Sequence, residues 1–123
     1  MSSSFKYSQL SDDALSFLKT LSFSSTGTRR LCLHESLDSA LHVMLIEIKP
    51  DTDFKRHSHT NSDEMVYLVA GSLAYHFDND ESSILSKDGT FSIIIPKGCC
   101  HSVRSGPDGA LYLEVINGPF IKG

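Results

Sequence analysis

The sequence has few cysteines, and their arrangement excludes one class of protein. There are three of them, Cys32, Cys99 and Cys100, so the number is odd and two are adjacent. Small secreted domains that depend on disulfides carry an even set of spaced cysteines instead. We therefore expect a cytoplasmic protein with free thiols.

Runs of like charge and long apolar runs are also missing. The formal net charge is -4 and no run of like charge exceeds two residues, which argues against a nucleic-acid partner because nucleic acids require a basic surface. No apolar run approaches the length of a membrane span, and residues 1–6 lack the apolar core of a signal peptide. We therefore expect neither nucleic acid nor a membrane among the partners.

The length of 123 residues suits one compact domain with a short extension. We predict a helical extension over residues 1–27, packed on a domain that covers residues 28–123. Ser8 and Ser11 are candidate N-caps for its helix, and apolar residues follow at roughly helical spacing. These apolar residues are Leu10, Ala14, Leu15, Phe17, Leu18 and Leu21.

Beyond residue 27, short strand patterns alternate with turn residues. The predicted strands include residues 41–49, 64–70, 72–77, 91–95, 101–104 and 111–116. Gly71 is expected to form a tight turn between two of these strands. Many short strands with regular turn signals are typical of an antiparallel sandwich or barrel. The sequence therefore predicts an all-β fold.

Three histidines and one glutamate carry the most informative chemistry in the sequence. Residues i and i+2 of a strand point to the same face, so His57 and His59 are expected to share one. Glu64 opens the next predicted strand, and a later turn delivers His101 to the start of its own strand. Imidazole and carboxylate are ligands that first-row divalent metals favour. We therefore predict a metal site inside a small barrel.

This pattern resembles the two motifs of the cupin superfamily. The matching spacings are His57-x-His59-x4-Glu64-x6-Gly71 and Pro96-x-Gly98-x2-His101. Asp51 and Ser105 stand where the motifs have Gly and Asn, and Gly89 lies one residue too far from the motif proline. These departures affect turns and late structural positions. The resemblance implies a single-domain cupin barrel, or jelly roll, in which the three histidines and the glutamate are the metal ligands.

A narrower resemblance, to WbuC-type cupin-fold metalloproteins, covers about residues 29–120. The matching segments are Arg30-x3-His34, Pro50-Asp51-Thr52, Phe77-Asp78, Ile95-Pro96-x-Gly98-x2-His101-Ser102 and Leu113-Glu114-Val115-x2-Gly118-Pro119-Phe120. Arg56 departs from the proline that the family often has before the first ligand. Such proteins often accompany bacterial surface-polysaccharide genes, which implies a link to sugar-derived small molecules.

The predicted ligand set leaves room for a further ligand on the metal. Three imidazoles and one carboxylate leave one or two positions open on a five- or six-coordinate ion, as in catalytic or ligand-binding sites. Divalent zinc, iron, nickel, manganese and cobalt all accept such ligands. Two alternatives stay open, a solvated surface strand and a cupin whose site holds no metal.

Four further residues are candidates for substrate contact, namely Arg30, His34, Tyr75 and Cys99. Arg30 suits a carboxylate or phosphate, and a structural ion pair is the equal alternative. Tyr75 is also expected in barrel packing, and His34 rests on the family resemblance. Cys99 and Cys100 flank a predicted ligand and suit metal or redox chemistry, although buried cysteine more often packs as a small apolar residue.

Three functions fit these observations. The first is a metal-dependent enzyme of the oxygenase or isomerase type that acts on a small molecule, with Glu64 as a possible catalytic base. The second is a metal-dependent binding module, which is favoured because spacing assigns no second acid–base residue. The third is a structural cupin whose metal only braces the barrel. Because many cupins are dimers, we also expect a homodimer.

Overall fold

The fold is built almost entirely of antiparallel strands. Among residues 9–36, 38–58 and 61–117, which the computed structural model describes, the chain forms one helix and seven strands. In chain order they are α1 (Asp12–Leu18), β1 (Thr28–Cys32), β2 (Leu41–Ile48), β3 (Asp53–His57), β4 (Glu64–Phe77), β5 (Ser82–Ser86), β6 (Ser92–Ile95) and β7 (His101–Asn117). The predicted all-β class with a short N-terminal helix is confirmed.

Two long strands, β4 and β7, run side by side through the molecule. The beginning of β7 lies between β3 and β4, and its end lies between β2 and β4. In the same way, β4 has β6 beside its first residues and β5 beside its last, and β1 extends the sheet beyond β2. Side chains from both halves of these strands form one core: Ile46, Ile48, Val66, Leu68, Leu73, Tyr75, Leu85, Ile95, Ala110 and Tyr112.

Gly71 bends a strand where the sequence predicted a turn between two. Residues 64–77 form one continuous strand, β4, whose pairing with β7 shifts register around Gly71. The φ angle of Gly71 is +79°, and a Cβ atom there would overlap the carbonyl group of Gly109 on β7. Glycine therefore permits a sharp change of direction without ending the strand. The prediction of a tight turn was wrong, because pairing with β7 continues on both sides of the bend.

The helix α1 lies against the sheet through its last residue. Ser11 is its N-cap, and its hydroxyl oxygen accepts a hydrogen bond from the Ala14 amide at 3.3 Å; Ser8 lies outside the described residues. Leu18 is fully buried, whereas Phe17 is 54% exposed, so only part of the predicted apolar stripe packs inward. No helix in the described ranges is long and apolar enough to cross a membrane. The division between residues 1–27 and 28–123 stays a prediction.

Candidate metal centre

A cavity of about 190 Å³ lies between the strands and holds three of the four predicted metal ligands. Its walls are formed by Thr28, Arg30, Ile46, Phe54, His57, Glu64, Tyr75, His101, Val103, Tyr112 and Glu114. His101 and Glu64 are buried, at 1% and 4% exposure. His57 is exposed. The site is therefore reached from solvent on the His57 side and closed around the other two ligands.

Strand pairing brings these three side chains together. In the β3–β7 pair, His57 is directly opposite His101, and their ring centroids are 4.3 Å apart. Glu64 is the first residue of β4, which pairs with β7 along its length. Its Oε1 atom lies 3.9 Å from Nε2 of His101. The motif residues therefore converge because one strand, β7, pairs with both β3 and β4.

The backbone fixes the orientation of both described histidine rings. Nδ1 of His57 lies 2.9 Å from the Lys55 carbonyl oxygen, and Nδ1 of His101 lies 2.9 Å from the Cys99 carbonyl oxygen. Since a carbonyl oxygen only accepts hydrogen bonds, Nδ1 carries the proton in each ring and Nε2 carries the lone pair. A hydrogen bond of this kind, from the second ring nitrogen, is the usual support of a metal-ligating histidine.

The electrostatics of the cavity suit a bound cation. Burial, together with the negative charge of Glu114, raises the pKa of Glu64 to about 8. Burial also raises the pKa of Glu114, although Arg30 and His57 act in the opposite direction. Two neighbouring buried carboxyl groups do not readily ionise together, because each negative charge repels the other and neither is well solvated. A bound cation would favour the ionised form of both. A divalent metal ion would do so.

The described residues fit a metal ion, although they do not complete its ligand shell. Within the described ranges no group of three or more His, Cys, Asp or Glu side chains is arranged as a metal site. His59, the fourth predicted ligand, lies outside the described residues. The 3.9 Å between Glu64 and His101 is within reach of one ion that both atoms bind at about 2.0–2.2 Å. The donor types and the oriented Nε2 atoms therefore match a transition-metal site.

The structure separates the four residues predicted to contact substrate. Arg30 and Tyr75 line the cavity. Cys99 instead lines a second cavity, of about 400 Å³, together with Cys100. His34 is not among the residues that line the first cavity. It follows the end of β1 and stacks on His42, with ring centroids 4.2 Å apart.

Glu114 and Tyr112 line the cavity but were not singled out by sequence reasoning. Both lie on β7 with side chains on the same inner face as Ile116, since residues two apart on a strand share a face. A carboxylate within the otherwise apolar segment 110–116 was the signal available in the sequence. Its partner across the sheet is Val66 of β4, two residues from Glu64. Only the pairing register places the two carboxylates in one cavity.

The sequence matches one family model and one curated protein. A family model described as a domain of unknown function, DUF6016, matches residues 16–88, which is more than half of the chain. The uncharacterized protein YdbB of Bacillus subtilis (strain 168) is 31% identical over 65 residues, covering 53% of this chain and 50% of that protein. The matched part thus spans about half the length of this curated relative.

Solved structures share the architecture. KdgF from a Halomonas species matches with a TM-score of 0.66 at 16% identity, over 84% of this chain and 92% of that one. An RmlC-like cupin from Shewanella frigidimarina matches with a TM-score of 0.63 at 18% identity, over 76% of this chain and 78% of that one. At these identities the likeness shows the fold alone, and it confirms the predicted cupin fold.

Proposed function

We propose that this chain, which belongs to the family described as a domain of unknown function, DUF6016, is a metalloprotein that binds a small molecule beside a divalent transition metal ion. His57, His59, Glu64 and His101 would hold the ion, which would be zinc, iron, nickel or manganese. The observation that carries the proposal is the convergence of two oriented imidazoles and a buried carboxyl group in one cavity.

Each cavity residue has a defined task in this proposal. When bound, the ion supplies Lewis-acid chemistry or, if it is iron, oxygen chemistry. His57 and His101 present Nε2 because their Nδ1 atoms donate to backbone carbonyls. Burial raises the pKa of Tyr75, and the charges of Glu64 and Glu114 add to this rise, so its hydroxyl stays a hydrogen-bond donor. Ile46, Phe54 and Val103 form apolar walls against which the carbon atoms of a small molecule can pack.

Among metalloproteins that bind a small molecule, the cavity favours an enzyme of the oxygenase or isomerase type. Glu114 supplies a carboxyl group outside the proposed ligand set, so an acid–base group would remain after Glu64 binds the ion. A binding module without turnover is the alternative, since burial raises the pKa of Tyr75 and leaves its hydroxyl a poor acid–base group. The WbuC resemblance supports a small molecule derived from sugar metabolism as the ligand.

Metal content tests the proposal. Elemental mass spectrometry on tag-free protein is expected to give about one metal ion per wild-type chain and close to none in His57→Ala/His101→Ala. The double variant His34→Ala/His76→Ala is the matched control, since neither histidine lines the cavity. It should keep the metal. Equal metal loss in both double variants, or an empty wild-type protein after reconstitution with each of the four metals, would contradict the proposal.

We also propose that the protein forms a homodimer. Within the part of the chain that the structure describes, strands β5 and β6 each pair on one side only, with β4. Each carries a well-exposed isoleucine, Ile84 at 66% and Ile94 at 72% exposure. Exposed apolar residues on edge strands favour coverage by a partner. Light scattering after size exclusion should give twice the monomer mass, and a monomer at micromolar concentration would contradict this.

A further inference from the structure

We propose that Arg30 and Glu114 select a small hydroxy-carboxylate as the ligand of the metal cavity. The inference rests on the proposed function, because it names the ligand class of the same site. Arg30 would bind the carboxylate group, and Glu114 would accept a hydrogen bond from a hydroxyl group of the ligand. The placement of these side chains, the balance of charge and the size of the cavity support it.

Two adjacent arginines on β1 have different surroundings. Arg29 faces the outside of the sheet, where its Nε donates to Glu47 at 2.6 Å and its Nη1 donates to the carbonyl oxygens of Lys19 and Leu21. Arg30 points to the other face and lines the cavity. Its side chain makes no hydrogen bond or ion pair with any residue in the described ranges. Arg29 is thus committed to structure, whereas Arg30 acts on Glu114 through its charge and keeps its donors available in the cavity.

The carboxyl groups of the cavity outnumber its arginine, and a metal ion would reverse this balance of charge. Arg30 is the one lysine or arginine among its described lining residues, and it shares the cavity with Glu64 and Glu114. A divalent ion would offset the two carboxylates and leave the guanidinium of Arg30 as net positive charge. A ligand with one negative charge would then make the cavity neutral. Arginine suits a carboxylate because its planar fork donates two parallel hydrogen bonds.

The remaining polar groups and the volume of the cavity narrow the class of ligand further. The hydroxyls of Tyr75 and Tyr112 offer donors and Glu114 offers an acceptor outside the proposed ligand set, whereas the Thr28 hydroxyl already lies 3.0 Å from the Ser24 hydroxyl. A ligand with oxygen acceptors and at least one hydroxyl donor matches this set. At about 30 Å³ per water, a cavity of about 190 Å³ has room for about six waters. That space fits an acid of about three or four carbons.

Binding of matched probes to the metal-loaded protein tests the role of Arg30. Calorimetry would compare lactate with lactamide, which has the same shape without the charge. We expect wild type to bind lactate at least about tenfold more tightly. Because a carboxylate can also ligate the metal, the decisive quantity is the change in this ratio between variants. The ratio of lactate affinity to lactamide affinity should fall about tenfold in Arg30→Gln and by less in Arg30→Lys. It should be unchanged in the neighbouring control Arg29→Gln.

Metal content, measured on each sample, separates this inference from the proposed function. A metal-loaded wild type that binds both probes equally overturns the inference alone, as does an unchanged ratio in Arg30→Gln. An empty wild type overturns the proposed function. If Arg30→Gln does not fold, Arg30→Lys decides, since it keeps the charge but loses the bidentate geometry; a ratio equal to that of wild type would then count against a role for the guanidinium fork.

A second pair of probes tests Glu114. Lactate and propionate differ by one hydroxyl group, and wild type should prefer lactate. Glu114→Gln should reduce that preference by about fivefold or more while the metal content and the preference for lactate over lactamide persist. An unchanged preference for lactate over propionate in this variant would remove Glu114 from the ligand contact.

Discussion

Two glutamates, Glu47 and Glu64, lie on opposite faces of the same sheet and have opposite surroundings. Glu47 accepts hydrogen bonds from Arg29 at 2.6 Å and Lys19 at 3.2 Å on the outer face. Burial alone would raise the pKa of Glu47, but these two hydrogen bonds and charges lower it. Glu64 lies in the inner cavity near a second carboxyl group, Glu114, and its pKa is raised to about 8 by burial and by that charge.

The comparison shows that Glu47 stabilises the fold through ion pairs, whereas the surroundings of Glu64 suit the binding of a ligand. On the outer face, the protein supplies the cations itself, and they tie helix α1 and the following loop to β1 and β2. In the cavity, two carboxyl groups oppose each other's ionisation, which costs stability in the metal-free protein. A bound cation would remove this cost, which explains why two carboxyl groups lie in one cavity.

The largest expected effect is that of Glu64→Gln on metal binding. Gln keeps the shape of the protonated carboxyl but provides a neutral and much weaker ligand. We expect metal affinity to fall by about 100-fold or more, beyond the 10- to 100-fold cost of losing an outer partner of a ligand. Competition with a fluorescent chelator would measure it.

The same variant should be more stable than wild type when metal is absent and the pH is above about 8. There the wild-type protein must hold an ionised Glu64 in a buried site, and Gln removes that cost. Urea unfolding in the presence of a chelator at pH 9 would measure the difference. A metal affinity within about threefold of wild type, or a lower stability at pH 9, would show that Glu64 resembles Glu47 after all.

The stability of the metal-free protein should decrease between about pH 4.5 and pH 8. In the unfolded chain Glu64 ionises near its ordinary pKa of 4.5, whereas in the folded chain it keeps its proton up to about pH 8. The folded state therefore binds more protons in this window, so the free energy of unfolding decreases as pH rises. Each loss of about 1 kcal/mol would lower Tm by about 4 °C in a domain of this size.

Two controls isolate the contribution of Glu64 to this pH dependence. Glu64→Gln should flatten the curve of Tm against pH. Metal-saturated wild type should also lose less stability over the same window, because the bound ion favours the ionised carboxylate. A wild-type curve that rises between pH 5 and pH 8, as it would for a carboxylate that is paired with a cation, contradicts this account.

The smallest expected effect is that of Glu47→Gln, and it concerns stability alone. Because Lys19 is 57% exposed whereas Arg29 is 13% and Glu47 20% exposed, loss of the two ion pairs should cost about 1–2 kcal/mol. Metal content should not change. Urea unfolding and elemental mass spectrometry would measure the two quantities. A loss of metal in Glu47→Gln would contradict the separation between the two faces of the sheet.

The strand ends that carry the described ligands could be predicted because they depend on local pattern. His57 ends a strand, Glu64 begins one, and His101 begins another after a turn shaped by Pro96 and Gly98. Each of these is a short-range feature that spacing and turn chemistry specify. The structure brings three of the four predicted ligands into one cavity, and the fourth, His59, lies outside the described residues.

Features that depend on long-range pairing could not be predicted in the same way. Gly71 was assigned to a turn because local sequence does not report that β7 continues alongside it. The entry of Glu114 into the cavity depends on its register opposite Val66. The positions of His34 against His42 and of Cys99 beside a second cavity also depend on the path of neighbouring segments. Register is set by the whole sheet rather than by nearby residues.

Anomalous X-ray diffraction from crystals of the metal-loaded protein tests the central claim most directly. Data collected on either side of the absorption edge of the bound metal would locate the ion and identify it. We expect one strong anomalous peak per chain, inside the cavity and within ligand distance of His57, Glu64 and His101. A peak at the stacked His34 and His42 instead, or no peak in a crystal grown from protein that contains metal, would contradict it.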